Sequence, residues 1–214
     1  MTRTQIRNLL QASRRDIGTM LFHFTREIID SPFGGDSAMT AYNRLNKILS
    51  DGHLKGGTGY IKGGHQCVCF SEAPVGELAA FFSAVNSVSP EAVRYRPYGI
   101  AVRKDWLFSQ GGRPVIYQPD NEYENLPATH NWRHASYSPP NIDFSWEREW
   151  RVHTPQLAIS PETCFAVVPT AREAHQINHG YSQLHTAPIQ NTGQMGTYSN
   201  ATWIAVSLDL YGLN

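Results

Sequence analysis

At 214 residues the chain is long enough for one sizeable core, and its 18 basic residues balance 18 acidic ones, so no charge excess drives general adhesion to nucleic acid or to an anionic membrane. No apolar run approaches the roughly 18 residues of a membrane-spanning helix, and the opening stretch "MTRTQIRNLLQASRR" lacks a signal-peptide apolar region. The three cysteines, Cys67, Cys69 and Cys164, are an odd number with the first two very close in sequence, which excludes a disulfide framework and suits a reducing, cytoplasmic setting.

Leu9, Leu10 and Ile17 give an amphipathic N-terminal helix over 1–17, with Arg14 and Arg15 near its end and Gly18 as its stop. A strand follows around Leu21 to Phe24, then the break "DSPFGGDS". In "AMTAYNRLNKILSDG", Met39, Tyr42, Leu45, Ile48 and Leu49 recur at helical spacing and the stretch closes on Gly52, which predicts a helix. The next stretch, "HLKGGTGYIKGGHQ", holds five glycines in fourteen residues and reads as a flexible loop able to close over a ligand. "CVCFSEAP" is strand-like and ends at its proline, and "VGELAAFFSAVN" reads as a buried helix. "YGIAVRKDW" predicts a strand running into a turn, and "GGRPVIYQP" a second short strand. From Asp120 to Phe144, three prolines and many Asn, His and Ser predict a long loop, a feature that is usually functional when it occurs in a compact domain. "WEREWRVHTP", "TCFAVVPT" and "ATWIAVSLDL" read as late strands, with "AREAHQINHG" a short helix between the second and third. The order is α+β, in one domain over 1–214, rather than a regular βαβ alternation.

Several groups carry candidate chemistry. Alternation along "EREWR" predicts Glu147 and Glu149 on one strand face, with Arg148 on the other. That pair reads equally as a solvated face or as working carboxylates; the flanking Trp146, Trp150 and Val152 argue for a strand with a buried side. His23 interrupts an apolar strand and shares a face with Thr25, where a histidine is more often a hydrogen-bonded core residue. His65, Cys67 and Cys69 alternate along "GGHQCVCF", but no second Cys or His pair recurs at zinc spacing. A thiol nucleophile with a histidine base lacks an elbow motif. Walker, GxGxxG and HExxH sequences are absent, which removes phosphate-loop and metalloprotease readings. Within the long loop, "NWRHASY" interleaves Trp132, Arg133, His134 and Tyr137, a mixture suited to stacking an unpaired base and touching its phosphate, or to ordinary loop packing. Up to Lys62, nine Lys and Arg stand against five acids, so any polyanion would be held locally.

Taken in order, "LFHFT", "LNKILSDGHLKGG", "CVCFSEAP", "YGIAVRKDW…GGRPVIY" and "EREWRV" resemble bacterial ADP-ribosyltransferase-like proteins, above all abortive-infection and toxin–antitoxin members, including the group whose toxins modify DNA or RNA. The resemblance runs from Leu21 to Val152. It implies a split β-sheet core with flanking helices and a long loop before the catalytic strand, with NAD as substrate in the cleft and no metal. It further implies that His23 and Thr25, with Phe24 between them, hold the ribose of the nicotinamide half, and that Phe70 and Ser71 flank the nicotinamide. Tyr60 would stack on that ring as part of a lid. Glu149 would be the catalytic carboxylate, Glu147 would orient the incoming nucleophile, and His23 would serve the reaction as a neutral hydrogen-bonding fixture rather than a base. The sequence departs from the family in lacking a clean Ser-Thr-Ser triplet. The implied activity is an NAD-dependent mono-ADP-ribosyltransferase, a toxin or phage-defence effector acting on nucleic acid through Trp132, Arg133, His134 and Tyr137, with an antitoxin protein as possible partner. The alternatives are a protein acceptor, or a non-catalytic module that keeps the fold and binds a nucleotide or partner.

Overall fold

A computed structural model describes residues 2–6, 18–26, 40–86, 95–180, 184–188, 195–199 and 203–213. Of the N-terminal helix predicted over 1–17, residues 3–6 are helical, while Leu9, Leu10, Arg14, Arg15 and Ile17 lie outside the described residues. The fold is mixed α+β, with several helices and mostly antiparallel strand pairing. No helix among the described residues is long and apolar enough to cross a membrane. The chain forms two compact units.

The first unit takes residues 1–23, 52–78 and 101–159. Its sheet runs β1 (Met20–Phe24), β3 (Cys67–Ser71), β8 (Glu149–His153) and β5 (Arg113–Pro114), each antiparallel to the next. Alternation gives β3 and β8 two different faces. Val68, Phe70, Trp150 and Val152 are apolar and buried on one side, while Cys67, Cys69, Ser71, Glu149, Arg151 and His153 occupy the other. Over that polar side the unit adds β6 (Ile116–Gln118) and β7 (His134–Ser136), a parallel pair, and a small core of Ile61, Cys67 and Trp132. A separate antiparallel pair joins β2 (His53–Lys55) to β9 (Gln156–Ala158).

The second unit takes residues 24–51, 79–100 and 160–214. Helix α1 (Ala41–Asp51) buries Ala41, Leu45 and Leu49, spaced four apart and so stacked on one stripe. Thr40 caps its start through the Asn43 amide (3.1 Å), and Gly52, at φ +67°, ends it. Trp203 donates its indole N–H to the Leu49 carbonyl (3.0 Å). Strands β10 (Cys164–Val168) and β13 (Ala205–Ser207) pair in parallel. Helix α4 (Ala171–Gly180) opens on a capping box: Thr170 Oγ1 accepts from the Glu173 amide (3.2 Å), and Glu173 accepts from the Thr170 amide (3.3 Å). An antiparallel pair, β11 (Leu184–Pro188) with β12 (Met195–Ser199), has no counterpart in the sequence reading.

Four expectations need correction. The predicted glycine-rich loop begins with strand β2, because its partner β9 lies far along the chain and leaves no local signal. The predicted turn after β4 (Gly99–Arg103) is a helix, α3 (Lys104–Ser109), which follows α2 (Val75–Asn86), the helix expected from "VGELAAFFSAVN". The long segment 120–144 contains β7 and two 3-10 turns, Asp120–Asn125 and Asn131–Arg133. Finally, Glu147 is not on the strand: Ser145–Glu147 is a 3-10 turn, Arg148 sits at φ +46°, and β8 starts only at Glu149. The left-handed residue breaks the alternation on which the shared face of Glu147 and Glu149 rested.

Candidate functional site

Direct opposition across β3 and β8 pairs Ser71 with Glu149, Cys69 with Arg151, and Cys67 with His153. Polar groups thus line one pleat face in a row. Arg151 is the fixed point of that row. It is 3% exposed, and it forks onto Glu149, Nε to Oε1 at 2.8 Å and Nη2 to Oε2 at 3.1 Å. Its Nη1 donates to the Trp132 and His134 carbonyls at 3.0 and 2.6 Å. Burial works against the guanidinium charge, but the Glu149 hydrogen bond and charge more than reverse it and hold the group above its ordinary value. The carbonyl contacts explain why residues 132 to 134 lie against the sheet.

Glu149 keeps some access to solvent, its side chain being 18% exposed. Its amide donates to the Tyr117 hydroxyl (3.0 Å), and its carbonyl accepts from the Val115 amide (2.9 Å), so backbone and carboxylate are both pinned. Burial first, then the Glu149 charge, holds the Cys69 thiol well above its ordinary range. Burial raises Cys67 to about 11. Neither thiol is tuned as a nucleophile, since both environments disfavour the thiolate. Burial likewise raises the Tyr117 phenol to about 12, with the Glu149 and Glu147 charges adding to it. An ionised carboxylate offers about four acceptor positions. Arg151 takes two, and the partial exposure of the carboxylate leaves room for a further donor.

The remaining sequence candidates are distributed as follows. Ser71 faces Glu149 across the ladder, but its hydroxyl donates to the Glu147 carbonyl (2.7 Å) and accepts from the Ala73 amide (3.1 Å), closing the turn after β3. Phe22, not His23, pairs with Ser71. Alternation therefore puts His23 with Phe70 on the other pleat face from Glu149, and their rings lie 5.7 Å apart. His23 Nδ1 donates to the Cys69 carbonyl at 2.8 Å, which makes Nε2 the acceptor of the neutral ring. The imidazole thus grips the main chain of the strand that carries the polar row, rather than facing the carboxylate across one cavity. In the second unit the Phe24 ring meets Phe82 edge-on, and the buried Thr25 hydroxyl contacts the Ala41 and Tyr98 carbonyls, both at 3.0 Å. Tyr60 is 82% exposed at φ +61° in the glycine-rich loop.

Within "NWRHASY" the structure separates the four candidates. Trp132 is buried and stacks on His153 (5.6 Å, 22° between planes), and His134 is 1% exposed with its ring edge-on to Tyr123 at 5.3 Å. These two are packing residues, so the expectation that they stack an incoming base is corrected. Arg133 and Tyr137 are half-exposed; Arg133 Nε donates to the Pro114 carbonyl (2.9 Å), and Tyr137 lies 6.3 Å from the Tyr117 ring.

Three contributors to the site escaped the sequence reading. Arg151 stands two residues after Glu149, and that spacing in a strand would have flagged it. Tyr117 carried no local signal. Glu72, next to Ser71, accepts from the Trp150 indole (2.7 Å) and pairs with Lys104, tying α3 to the start of β8. Among the described residues no three His, Cys, Asp or Glu side chains converge as metal ligands. No protein family, no curated protein and no solved structure matches this chain.

Proposed function

We propose that the protein is an NAD-dependent mono-ADP-ribosyltransferase with Glu149 as its catalytic carboxylate, acting on nucleic acid as acceptor. The single observation that carries this reading is the clamped, partly exposed carboxylate of Glu149, whose acceptor positions Arg151 does not fill. Cleaving the bond between ribose C1′ and nicotinamide builds positive charge on the sugar ring, and nicotinamide leaves with the bonding electron pair as a neutral molecule. A carboxylate already oriented, and accepting from the ribose 2′-hydroxyl, stabilises that charge without a proton transfer. The site fits this demand better than acid–base or thiol chemistry, because its cysteines are held protonated and His23 bonds a main-chain carbonyl. Thr25 fits less well as a ribose ligand, since carbonyls already occupy its hydroxyl.

A second reading has its own observation. Arg151 engages both oxygens of Glu149, as a structural ion pair in a non-catalytic binding module would. The two readings part on one assay: release of nicotinamide from NAD in the presence of single-stranded DNA, RNA or a protein lysate. The transferase reading expects release by the native chain and a loss on the order of 10²–10³ in rate for Glu149→Gln. A native chain that consumes no NAD with any acceptor would leave the binding module standing.

A further inference from the structure

The edge strand β5 of the first unit carries Arg113, which has no carboxylate within ion-pair distance among the described residues. The turn into it, Gly111–Gly112, follows α3; Gly111 lies at φ +87°, and a Cβ on Gly112 would come within 2.7 Å of both the Leu107 carbonyl oxygen and its side chain. Only glycine fits there, and the next residue, Arg113, is delivered to one place. Its Nη1 donates to the Gly112 and Phe108 carbonyls (2.7 and 3.1 Å), and its guanidinium lies over the Phe108 ring, 4.0 Å from the centroid. Arg133 reaches the same strand from the 3-10 turn before β7, its Nε bound to the Pro114 carbonyl. Among the described residues neither arginine has a carboxylate within ion-pair distance. Burial, and then the neighbouring Arg113 charge, push the Arg133 guanidinium below its ordinary value. Arg133 is held on the carbonyl of Pro114, the residue after Arg113, and an anion shared by two such like charges would relieve their repulsion. Each guanidinium has five N–H donors and spends only part of them on carbonyls. Phe108, 52% exposed, adds a stacking surface beneath one of the charges.

We propose that Arg113, Arg133 and Phe108 form a binding site for the backbone of single-stranded nucleic acid, the arginines taking phosphate and the ring taking a base. The inference rests on the transferase reading only for what happens to the strand once bound. Arginine forks match phosphate oxygens, and an aromatic face beside them selects unpaired bases over an acidic peptide, which offers charge but no ring to stack. The surface continues in a useful direction. From Arg133, β7 leads to Tyr137, whose ring neighbours Tyr117; Tyr117 contacts the Phe144 carbonyl (3.4 Å) and the amide of Glu149, and the Phe144 and Trp146 rings are exposed. A strand laid along β7 would span about 13 Å from Arg133 to Tyr137. With no net charge on the whole chain, such binding is local and depends strongly on salt.

Fluorescence anisotropy of a labelled single-stranded oligonucleotide, measured without NAD from about 50 to about 200 mM salt, tests this. The native chain should bind, with duplex of the same sequence weaker, and an Arg113→Gln/Arg133→Gln double variant should lower the salt slope by about 1.4, roughly 0.7 for each phosphate lost. Phe108→Ala should weaken binding roughly tenfold with the slope unchanged. An Arg113→Lys/Arg133→Lys variant, which keeps the charges, should keep most of the slope; this guards against misreading a folding defect. Inorganic phosphate serves as the competitor. Native-like affinity and slope in the double glutamine variant would overturn the proposal, as would equal competition by inorganic phosphate at matched ionic strength. Because no NAD is present, a chain that binds the strand yet releases no nicotinamide would refute the transferase alone. A chain that releases nicotinamide with lysate protein while the arginine variants bind as the native does would refute the strand site alone.

Discussion

A guanidinium hidden from water must spend its donors inside the protein, and Arg151 divides them between the Glu149 carboxylate and the carbonyls of Trp132 and His134. Removing it therefore leaves a carboxylate and two carbonyls without their partner at once. For Arg151→Met we expect a loss of about 3 kcal/mol in unfolding free energy, the low end for a broken buried pair because Glu149 still meets some water. Arg151→Lys keeps the charge but not the fork and should fall between that and the native chain. Urea unfolding of Arg151→Met, Glu149→Gln and the double variant measures the coupling directly. If the single losses simply add, the two side chains do not act as a unit and the clamp is only apparent. The sequence offered Glu149 readily, since an acid in a tryptophan-flanked strand stands out. It offered nothing for Tyr117, which meets Glu149 through a hydroxyl from thirty-two residues away.

At the level of elements, legibility followed the range of the forces involved. Helix α1, with its four-residue stripe and terminal Gly52, and strands β1, β3 and β10 could be read from local pattern, as could the capped α4. Strands β2 and β9 could not, because three residues carry no periodicity and their pairing is set by a partner a hundred residues distant. The displaced start of β8 is a subtler case: "EREWR" alternates in sequence, but Arg148 at positive φ turns the chain before the ladder begins. The β2–β9 pair also makes a testable demand on Gly56, which follows β2 and donates its amide to the Pro155 carbonyl (2.8 Å). A Cβ there would fall 2.1 Å from the Thr154 carbonyl oxygen, a main-chain atom that cannot swing aside. Gly56→Ala should cost about 1–3 kcal/mol, as overpacking typically does, and lower the thermal midpoint. Gly57→Ala is the control, since a Cβ there meets nothing within 4 Å. Equal midpoints for the two variants would show that the chain at Gly56 yields without cost.

For the molecule as a whole, the groups that fold into apolar surroundings set how it responds to alkali. Burial pushes the Cys67 and Cys164 thiols from 9.0 up to about 11, and the Tyr117 phenol from 10.0 up to about 12. Each is neutral when protonated, so folding favours the protonated form. Once pH exceeds the ordinary value, the unfolded chain has released protons that the folded chain still holds, and unfolding gains in free energy with every further step. The contribution is therefore complete below pH 9 and drains away as pH climbs to about 11 for the thiols and about 12 for the phenol. The urea midpoint should be level up to pH 9 and then fall. Other groups titrate in the same range, so the decisive comparison is with Cys164→Ala, whose thiol cannot contribute: its midpoint should start lower, for the lost packing, and decline less steeply between pH 9 and 11. Parallel declines in the native chain and the variant would mean that the buried thiol titrates as it does in water, and that its surroundings impose no cost on the charged form.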